Sequence, residues 1–346
     1  MIYQLNELTT IKRGGSPRPI TDYISDTGYP WLKISDFEYG QRVVNDVHEY
    51  IIEEGLSKTK LVPKGSLIVT NSASPGIPIF LGKDMCLHDG FLYFEKISNK
   101  VNPLYLYYFL MQQRDYLKSQ GNGSIFVNLK KEILERVKID LPNLEIQNHI
   151  VNTIGSVDDL IEKKHEILIK IEEISNIIFQ KAVLNGNNIT LSNFISFEKG
   201  RQVTFSETGF PYLNIDSLEL IPTLFSNDQG IICNDHDILM VMDGASSGNV
   251  YIGNSGIVGA TLAKIKTTLN SFYLYLYFKR NFNLIQSMNT GSAIPHANKK
   301  AIGDLIVKYN DTYNEKFEHL FQMWVRLKKE IKTLKIIKDK LIKKYF

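Results

Sequence analysis

The chain is 346 residues long, 43% hydrophobic and 22% charged, with 40 Lys and Arg against 37 Asp and Glu, which suits an ordinary globular protein with length for two domains of about 100 to 200 residues each. Its longest uninterrupted apolar run, residues 104–111 with Tyr counted as apolar, falls far short of the ~20 residues a membrane-spanning helix needs, and two cysteines, Cys86 and Cys233, exclude a disulfide framework. The opening residues carry no cationic stretch followed by an apolar core, so no secretory signal is expected and a reducing cytoplasm is the expected location.

In chain order, the first dense basic segment is a glycine-containing loop with Lys12, Arg13, Ser16 and Arg18. Strand-like alternation is expected over 66–70 and 91–94, with Asn71, Ser72 and Ser74 in the loop between. An aromatic helix is expected over 104–118, its Tyr and Phe residues marking core packing rather than base stacking. Residues 122–131 add Ser124, Asn128, Lys130 and Lys131. From 146 to 184 there is no Pro and one Gly. Steps of four and three put Ile150, Ile154, Val157, Ile161, Leu168, Ile171 and Ile178 on one stripe there, with Lys164 and Ser175 as its polar members.

The plan then repeats. Gly28-Tyr-Pro-Trp-Leu-Lys-Ile34 returns as Gly209-Phe-Pro-Tyr-Leu-Asn-Ile215 at an offset of 181. Ala73-Ser-Pro-Gly76 returns as Ala245-Ser-Ser-Gly248 at 172. Leu104-Tyr-Leu-Tyr-Tyr108 and Gly123-Ser124 return as Phe272-Tyr-Leu-Tyr-Leu276 and Gly291-Ser292, both at 168. Order is kept while the offset shrinks, so the second copy has lost about thirteen residues, expected from its loops. Its strands are expected at 237–242, 249–252 and 262–265 and its aromatic helix at 272–286. Its loop positions are Lys199, Arg201 and Gln202, then Asp243, Ser246, Ser247 and Asn249, then Ser292, His296, Asn298, Lys299 and Lys300. Residues 312–346 lack Pro and Gly, carry ten Lys and Arg against four Asp and Glu, and place Leu320, Trp324, Leu327, Ile331, Leu334 and Leu341 on a second stripe.

Two such stripes are coiled-coil seams. A 35-residue helix is about 50 Å long, too long to bury its stripe against one small domain, and a globular segment between the helices lets the chain return antiparallel. The expected fold is α+β: two similar mixed α/β domains, 1–145 and 186–311, separated by helices 146–185 and 312–346 that form an antiparallel coiled coil, with an internal pseudo-twofold repeat. The alternative is that each helix merely caps its own domain.

Catalytic patterns match only superficially. Gly244-Ala-Ser246-Ser-Gly248 has the form of a nucleophile elbow, but a strand rather than a helix is expected after it. Asn102-Pro-Leu-Tyr105 lacks the second proline of an amino-methyltransferase loop. Gly253, Gly256 and Gly259 have the wrong spacing for a dinucleotide fingerprint, and there is no P-loop. Glu162-Lys-Lys164 has the tail of a nuclease site, but with Asp158 and Asp159 beside it reads as a solvated face. Asn234-Asp-His-Asp237 reads as a polar turn rather than a metal site. No catalytic or metal site is expected in this chain.

The duplicated plan resembles the specificity subunit of Type I restriction-modification enzymes over nearly the whole chain. The resemblance is carried by Gly123-Ser124, the segment 126–141, and Pro142-Asn-Leu-Glu-Ile-Gln147 leading through Ile150-Val151 into the long helix. Family members have there a G-S motif, a short helix and strand, then P-x-L-x-E-Q and a spacer helix. Ile11-Lys-Arg-Gly-Gly-Ser-Pro17 and Tyr29-Pro-Trp31 are similarly placed. Two departures stand out: Ile146 replaces the family's Glu, and the second copy has Asp311-Thr-Tyr-Asn-Glu-Lys316 where the proline-bounded motif would lie.

The resemblance implies a non-catalytic subunit in which each target-recognition domain reads half of a bipartite double-stranded DNA site and the helices set the gap. Partner methyltransferase subunits, expected to number two, would modify adenine with S-adenosylmethionine, with no cofactor in this chain; restriction or translocase subunits could join, and no membrane is involved. Phosphates are held by Lys, Arg, Ser, Thr and loop amides, and bases are read by Arg, Lys, Asn, Gln and acidic groups, which selects the loop residues named above. A self-contained DNA-modifying enzyme and a coiled-coil scaffold bearing two protein-binding domains remain as alternatives.

Overall fold

The computed structural model describes residues 1–37, 40–120, 128–219, 222–291 and 293–346. Contacts divide the chain into two compact units, Met1–Ile161 with Leu334–Phe346, and Glu162–Thr333.

The first unit holds two five-stranded sheets. One runs Ile24–Ser25, Glu49–Ile51, Tyr29–Leu32, Met85–Leu87, Leu61–Val62; the other runs Thr9–Arg13, Phe91–Ile97, Leu67–Thr70, Pro78–Leu81, Val43–Val44. The second unit keeps four strands of each: Phe225–Ser226, Phe210–Leu213, Gly256–Val258, Ile232–Cys233 and Ile195–Lys199, Leu262–Thr267, Ile238–Val241, Val250–Tyr251. Among the described residues it has no counterpart of the edge strand Val43–Val44, and the edge strand Ile24–Ser25 is reduced to a single antiparallel bridge, Ser206 to Phe225. The shrinking offset is therefore more than loop trimming, because in the segments that shortened one edge strand is lost and another is reduced to a bridge.

The frame common to both copies is the parallel pairing of the repeated aromatic block. Trp31 and Leu32 pair with Cys86 and Leu87, and Tyr212 and Leu213 pair with Ile257 and Val258. Each domain is closed by its ends, Ile2–Gln4 against Lys138–Asp140 and Asn187–Thr190 against Ile306–Tyr309, both antiparallel. These pairs join segments more than a hundred residues apart, so no local pattern announces them.

The alternation expected at 66–70 divides two cores rather than core from solvent, since all of Leu67–Thr70 is buried. Leu67 and Val69 face a core with the aromatic helix, while Ile68 faces one with Leu32, Met85 and Leu87. Ile238 and Met240 are separated from Leu239 and Val241 in the same way. A sheet covered on both faces reads as a continuous apolar run.

Asn102 caps the helix Pro103–Gln112 by accepting from Leu104 N–H at 2.9 Å, and Asn270 caps Ser271–Arg280 by accepting from Tyr273 N–H at 3.0 Å. The single aromatic helices expected to 118 and 286 are each broken, continuing as Arg114–Ser119 and Phe282–Ser287. The breaks bring Leu117 and Ile285 onto Gly76 and Gly248, where a Cβ would meet them at 3.0 Å; both glycines have positive φ, +87° and +97°.

The long helices span Leu144–Leu184 and Asn314–Tyr345, and each contributes to both units. In the first unit Ile150, Val151 and Ile154 share a core with Ile342, and Asp158 and Lys338, 5% and 7% exposed, form an ion pair of 2.6 Å. Tyr108 OH donates to the same carboxylate at 2.7 Å. Asp158 is thus not part of a solvated face; the face is half buried because the second helix and the aromatic helix both lie on it. Val157, Leu334 and Leu341 are half-buried and Ile161 is buried.

In the second unit the pairs Lys164–Glu330 (2.5 Å) and Trp324 Nε1 to Glu172 Oε1 (3.1 Å) descend one helix as they ascend the other, so the helices are antiparallel. Ile171, Phe179 and Ala182 share a core with Phe317, Phe321, Trp324 and Val325, and Leu168, Ile178, Leu320 and Leu327 pack on it half-buried. Ile331 is buried, and buried Ser175 donates back to Ile171 O at 2.6 Å. Burial at Phe179, Phe321, Val325 and Ile342 reaches beyond the expected stripe, because each helix packs against its own domain as well as against the other helix. Pairing and capping are both realised.

Candidate nucleic-acid interface

In the first unit three loops meet at one end of the sheets. Gly14 N–H donates to Phe91 O and Gly15 N–H to Leu87 O, each at 2.9 Å, and Asn71 N–H donates to Gly90 O at 2.9 Å. A Cβ on Gly14 would lie 2.2 Å from His88 O, so only glycine allows this approach; Gly200, equally close to Gly259 O at 2.3 Å, plays the same part in the second unit. The loops are then tied by side chains. Arg13 Nε donates to Asp89 O (2.8 Å), Ser16 Oγ donates to Asp89 Oδ1 (2.9 Å), and Asn71 Nδ2 donates to Asp89 O (3.3 Å). Leu129 N–H donates to Asn71 O at 2.7 Å, which brings the 128–131 segment to the same edge.

In the second unit the equivalent edge centres on a carboxylate. Lys199 Nζ lies 2.9 Å from Asp243 Oδ2 and His296 Nδ1 lies 2.7 Å from Asp243 Oδ1. The backbone supports this by Gly244 N–H to Pro295 O (2.9 Å) and Ala297 N–H to Met242 O (2.8 Å). Asn289 Nδ2 donates to Ser247 Oγ at 2.7 Å, holding the neighbouring turn.

The structure thus gathers Arg13, Ser16 and Asn71 in the first unit and Lys199, Asp243, Ser247 and His296 in the second. The remaining candidates are not members of these hydrogen-bonded clusters. Lys12 is paired with Glu95 at 2.5 Å, which raises its pKa. Arg201 donates to Gln229 O rather than to Asp243. Asn298 is occupied in capping the helix Lys299–Gly303, accepting from Ala301 N–H at 3.1 Å. Lys131 pairs with Glu135 at 3.1 Å. Arg18, Ser74, Asn128, Lys130, Gln202, Lys299 and Lys300 are exposed and Ser72, Ser246 and Asn249 are half-buried. Ser124 and Ser292 lie outside the described residues.

Sequence reading missed His88, Asp89 and Lys33. His88 follows an apolar strand directly and precedes Asp89-Gly90, the signal of a turn at a sheet end. Trp31 Nε1, Asn71 Oδ1 and Asn289 Oδ1 are buried without a hydrogen-bond partner. Such groups cost free energy, and all three lie in or beside these loop clusters.

The Gln of the P-x-L-x-x-Q block has a defined task. Gln147, fully buried, accepts from Asn102 N–H (2.8 Å) and donates to Lys100 O (2.9 Å) and Pro142 O (2.8 Å), pinning the start of the long helix to the start of the aromatic one. In the second unit, where that block is missing, Tyr309 OH accepts from Asn270 N–H at 3.0 Å and donates to Asn314 Oδ1 at 2.7 Å. The helix start is docked by other atoms at the same place.

Ser246 lies in a turn followed by the strand Val250–Tyr251, not by a helix. Asp237 Oδ2 accepts from Asn234 N–H at 2.8 Å, closing a turn. Among the described residues no cluster of His, Cys, Asp and Glu could hold a metal, and no helix is long and apolar enough to cross a membrane.

Residues 1–173 match the family described as Type I restriction modification DNA specificity domain. The MjaIX specificity subunit of a Type I restriction enzyme from Methanocaldococcus jannaschii is 22% identical over 401 residues, covering 99% of this chain and 91% of that one. The MjaVIII specificity subunit from the same organism is 25% identical over 177 residues, 46% of this chain; the match spans only 41% of that subunit's length. The crystal structure of the S subunit of a Type I restriction-modification system from M. genitalium has a TM-score of 0.63 and 18% identity, covering 100% of this chain and 96% of that one. That likeness speaks for the fold, while the match over half of the sequence speaks for descent: the chain belongs to the Type I restriction-modification DNA specificity family.

Proposed function

We propose that the chain is the DNA-recognition subunit of a Type I methyltransferase and restriction complex. Each unit reads one half of a bipartite duplex site, and the paired helices set the gap. The observation that carries this reading is the contrast between a repeated backbone frame and unlike side chains at its edge, Arg13 and Ser16 over the buried Asn71 in one unit and Lys199, Asp243 and His296 in the other. Two similar frames with different donors and acceptors suit two different half-sites.

Adenine methylation then belongs to partner methyltransferase subunits, two of them for two half-sites, which carry S-adenosylmethionine; restriction subunits join the same assembly in the cytoplasm. The loop cations supply phosphate affinity, so binding falls as salt rises.

The test is single-molecule sequencing of adenine methylation in cells expressing this chain with its neighbouring methyltransferase, against the methyltransferase alone. A bipartite motif that depends on the chain is the expected result. Methyl transfer by the purified chain alone would instead make it a self-contained enzyme, and absence of salt-dependent DNA affinity would make it a scaffold.

A further inference from the structure

The edge of the first unit contains a histidine that the DNA-reading assignment has not used. His88 N–H donates to Leu32 O at 3.1 Å, as Gly259 N–H donates to Leu213 O at 2.9 Å in the second unit. The same backbone position therefore holds an imidazole in one unit and no side chain in the other. Tyr212 OH fills the latter space, accepting from Ala260 N–H at 3.1 Å.

The His88 ring is half-buried, 5.5 Å from the Trp31 ring. Its Nδ1 accepts from Gly90 N–H at 2.8 Å, so the neutral ring carries its proton on Nε2, which donates to no group among the described residues. The charged groups around it are Arg13, Arg18 and Lys33, against the single carboxylate of Asp89, 3.2 Å from Nδ1. Lys33 is compensated by Glu49 at 2.5 Å, whereas Arg13 donates to a backbone oxygen and Arg18 is exposed, with no carboxylate paired to it among the described residues. Positive charge is in excess around a ring whose Nε2–H is unused, and the buried Trp31 Nε1 and Asn71 Oδ1 are unsatisfied.

We propose that His88 Nε2–H, with Arg13 and Arg18, grips a DNA backbone phosphate in the first half-site, and that protonation of the ring accompanies binding. The proposal rests on the DNA-reading assignment. An anion is the ligand that this charge balance favours, and a base acceptor would not relieve it. Burial first, and then Arg18, Lys33 and Arg13, hold the free imidazole below its ordinary pKa. A phosphate oxygen on Nε2 reverses the Coulomb sign and raises it. Protonation puts a hydrogen on Nδ1, which gives up the bond from Gly90 N–H and donates to the Asp89 carboxylate, while Nε2 keeps the phosphate. The pKa is higher in the complex, so affinity rises as pH falls through the bound value toward the free one. No such coupling exists at Gly259.

The experiment uses the full chain, a fluorescein-labelled 30-base-pair duplex of arbitrary sequence, and anisotropy between pH 6 and 8. His88→Gln is compared with wild type and with His149→Gln, an exposed helix residue remote from this edge. One unit of pKa rise is tenfold in affinity, so wild type and His149→Gln should each gain about five- to tenfold more affinity on acidification than His88→Gln. Equal pH slopes in all three, with binding retained, would overturn the phosphate grip and leave the DNA reading intact. A slope that appears only on the cognate methylation motif would make His88 a base contact instead and overturn it too. No salt-dependent binding by any of the three would defeat the DNA reading and His88 with it.

Discussion

At the edge of the first unit a backbone oxygen is the hub: Arg13 and Asn71 both donate to Asp89 O, and Ser16 holds the Asp89 carboxylate. At the equivalent edge of the second unit a carboxylate is the hub, with Lys199 on one oxygen of Asp243 and His296 on the other. The loops that carry them keep the same glycines, Gly14 with Gly200 and Gly76 with Gly248, because backbone or side-chain atoms stand where a Cβ would be. The difference teaches which constraints a duplicated reader retains. Sterics fix the turns, while the side chains projecting from those turns are free to diverge. The helix starts show the same division: the amide of Asn102 is held by Gln147, and that of Asn270 by Tyr309 OH.

The largest expected effect tests what joins the two readers. Deleting 164–170 and 327–333 removes one heptad from each helix, about 10 Å of rise and about three base pairs of duplex at 3.4 Å each. The original methylation motif should vanish, and one with the same half-sites and a gap about three base pairs shorter should replace it in methylation sequencing. An unchanged gap would show that something other than the helices sets it.

Next come the two ways the helices are held. Lys338→Ala leaves Asp158 buried and uncompensated, a change that typically costs about 3 to 5 kcal/mol, whereas Lys164→Ala in the more exposed pair with Glu330 should cost about 0 to 1 kcal/mol. Chemical denaturation of the two variants separates these; similar losses would mean that the Asp158 pair is solvated in solution. The second unit relies on ring packing instead, and Trp324→Ala should cost about 3 to 5 kcal/mol. Smaller is the loss for Gln147→Ala, about 1 to 3 kcal/mol, because Asn102 N–H and two carbonyls lose their partner in a buried place.

The repeat, the two helices and the basic loop at 12–18 were legible because they leave periodic or dense local signals. The edge strands Ile24–Ser25 and Val43–Val44 were not, since two residues carry no period. Asp158 read as solvated because its partners lie 50 and 180 residues away, at Tyr108 and Lys338. His88 was silent for a related reason: its meaning comes from Arg13, Arg18 and Lys33, which only the folded sheets bring together. The loop residues were legible as types but not as a site, and Arg201 illustrates the limit. By sequence it pairs with the Arg13 loop, yet its guanidinium is held by Gln229 O.

That geometry separates three arginine and lysine positions in the smallest of the expected effects. Lys199→Ala should weaken methylation at the second unit's half-site, by about 1 to 3 kcal/mol where a base is read, while Arg13→Ala, as a phosphate contact, should weaken binding to all duplexes alike and lower the salt slope by about one. If Arg13→Ala instead weakens methylation at one half-site alone, Arg13 reads a base and the phosphate grip beside His88 loses that arginine. Arg201→Ala should change neither half-site by more than about twofold, because its guanidinium is engaged by the backbone oxygen of Gln229 rather than by Asp243. A loss at Arg201 matching that at Lys199 would mean that the loop beside Gln229 turns over on DNA, and the reading edge of the second unit would then extend to residues 227–230.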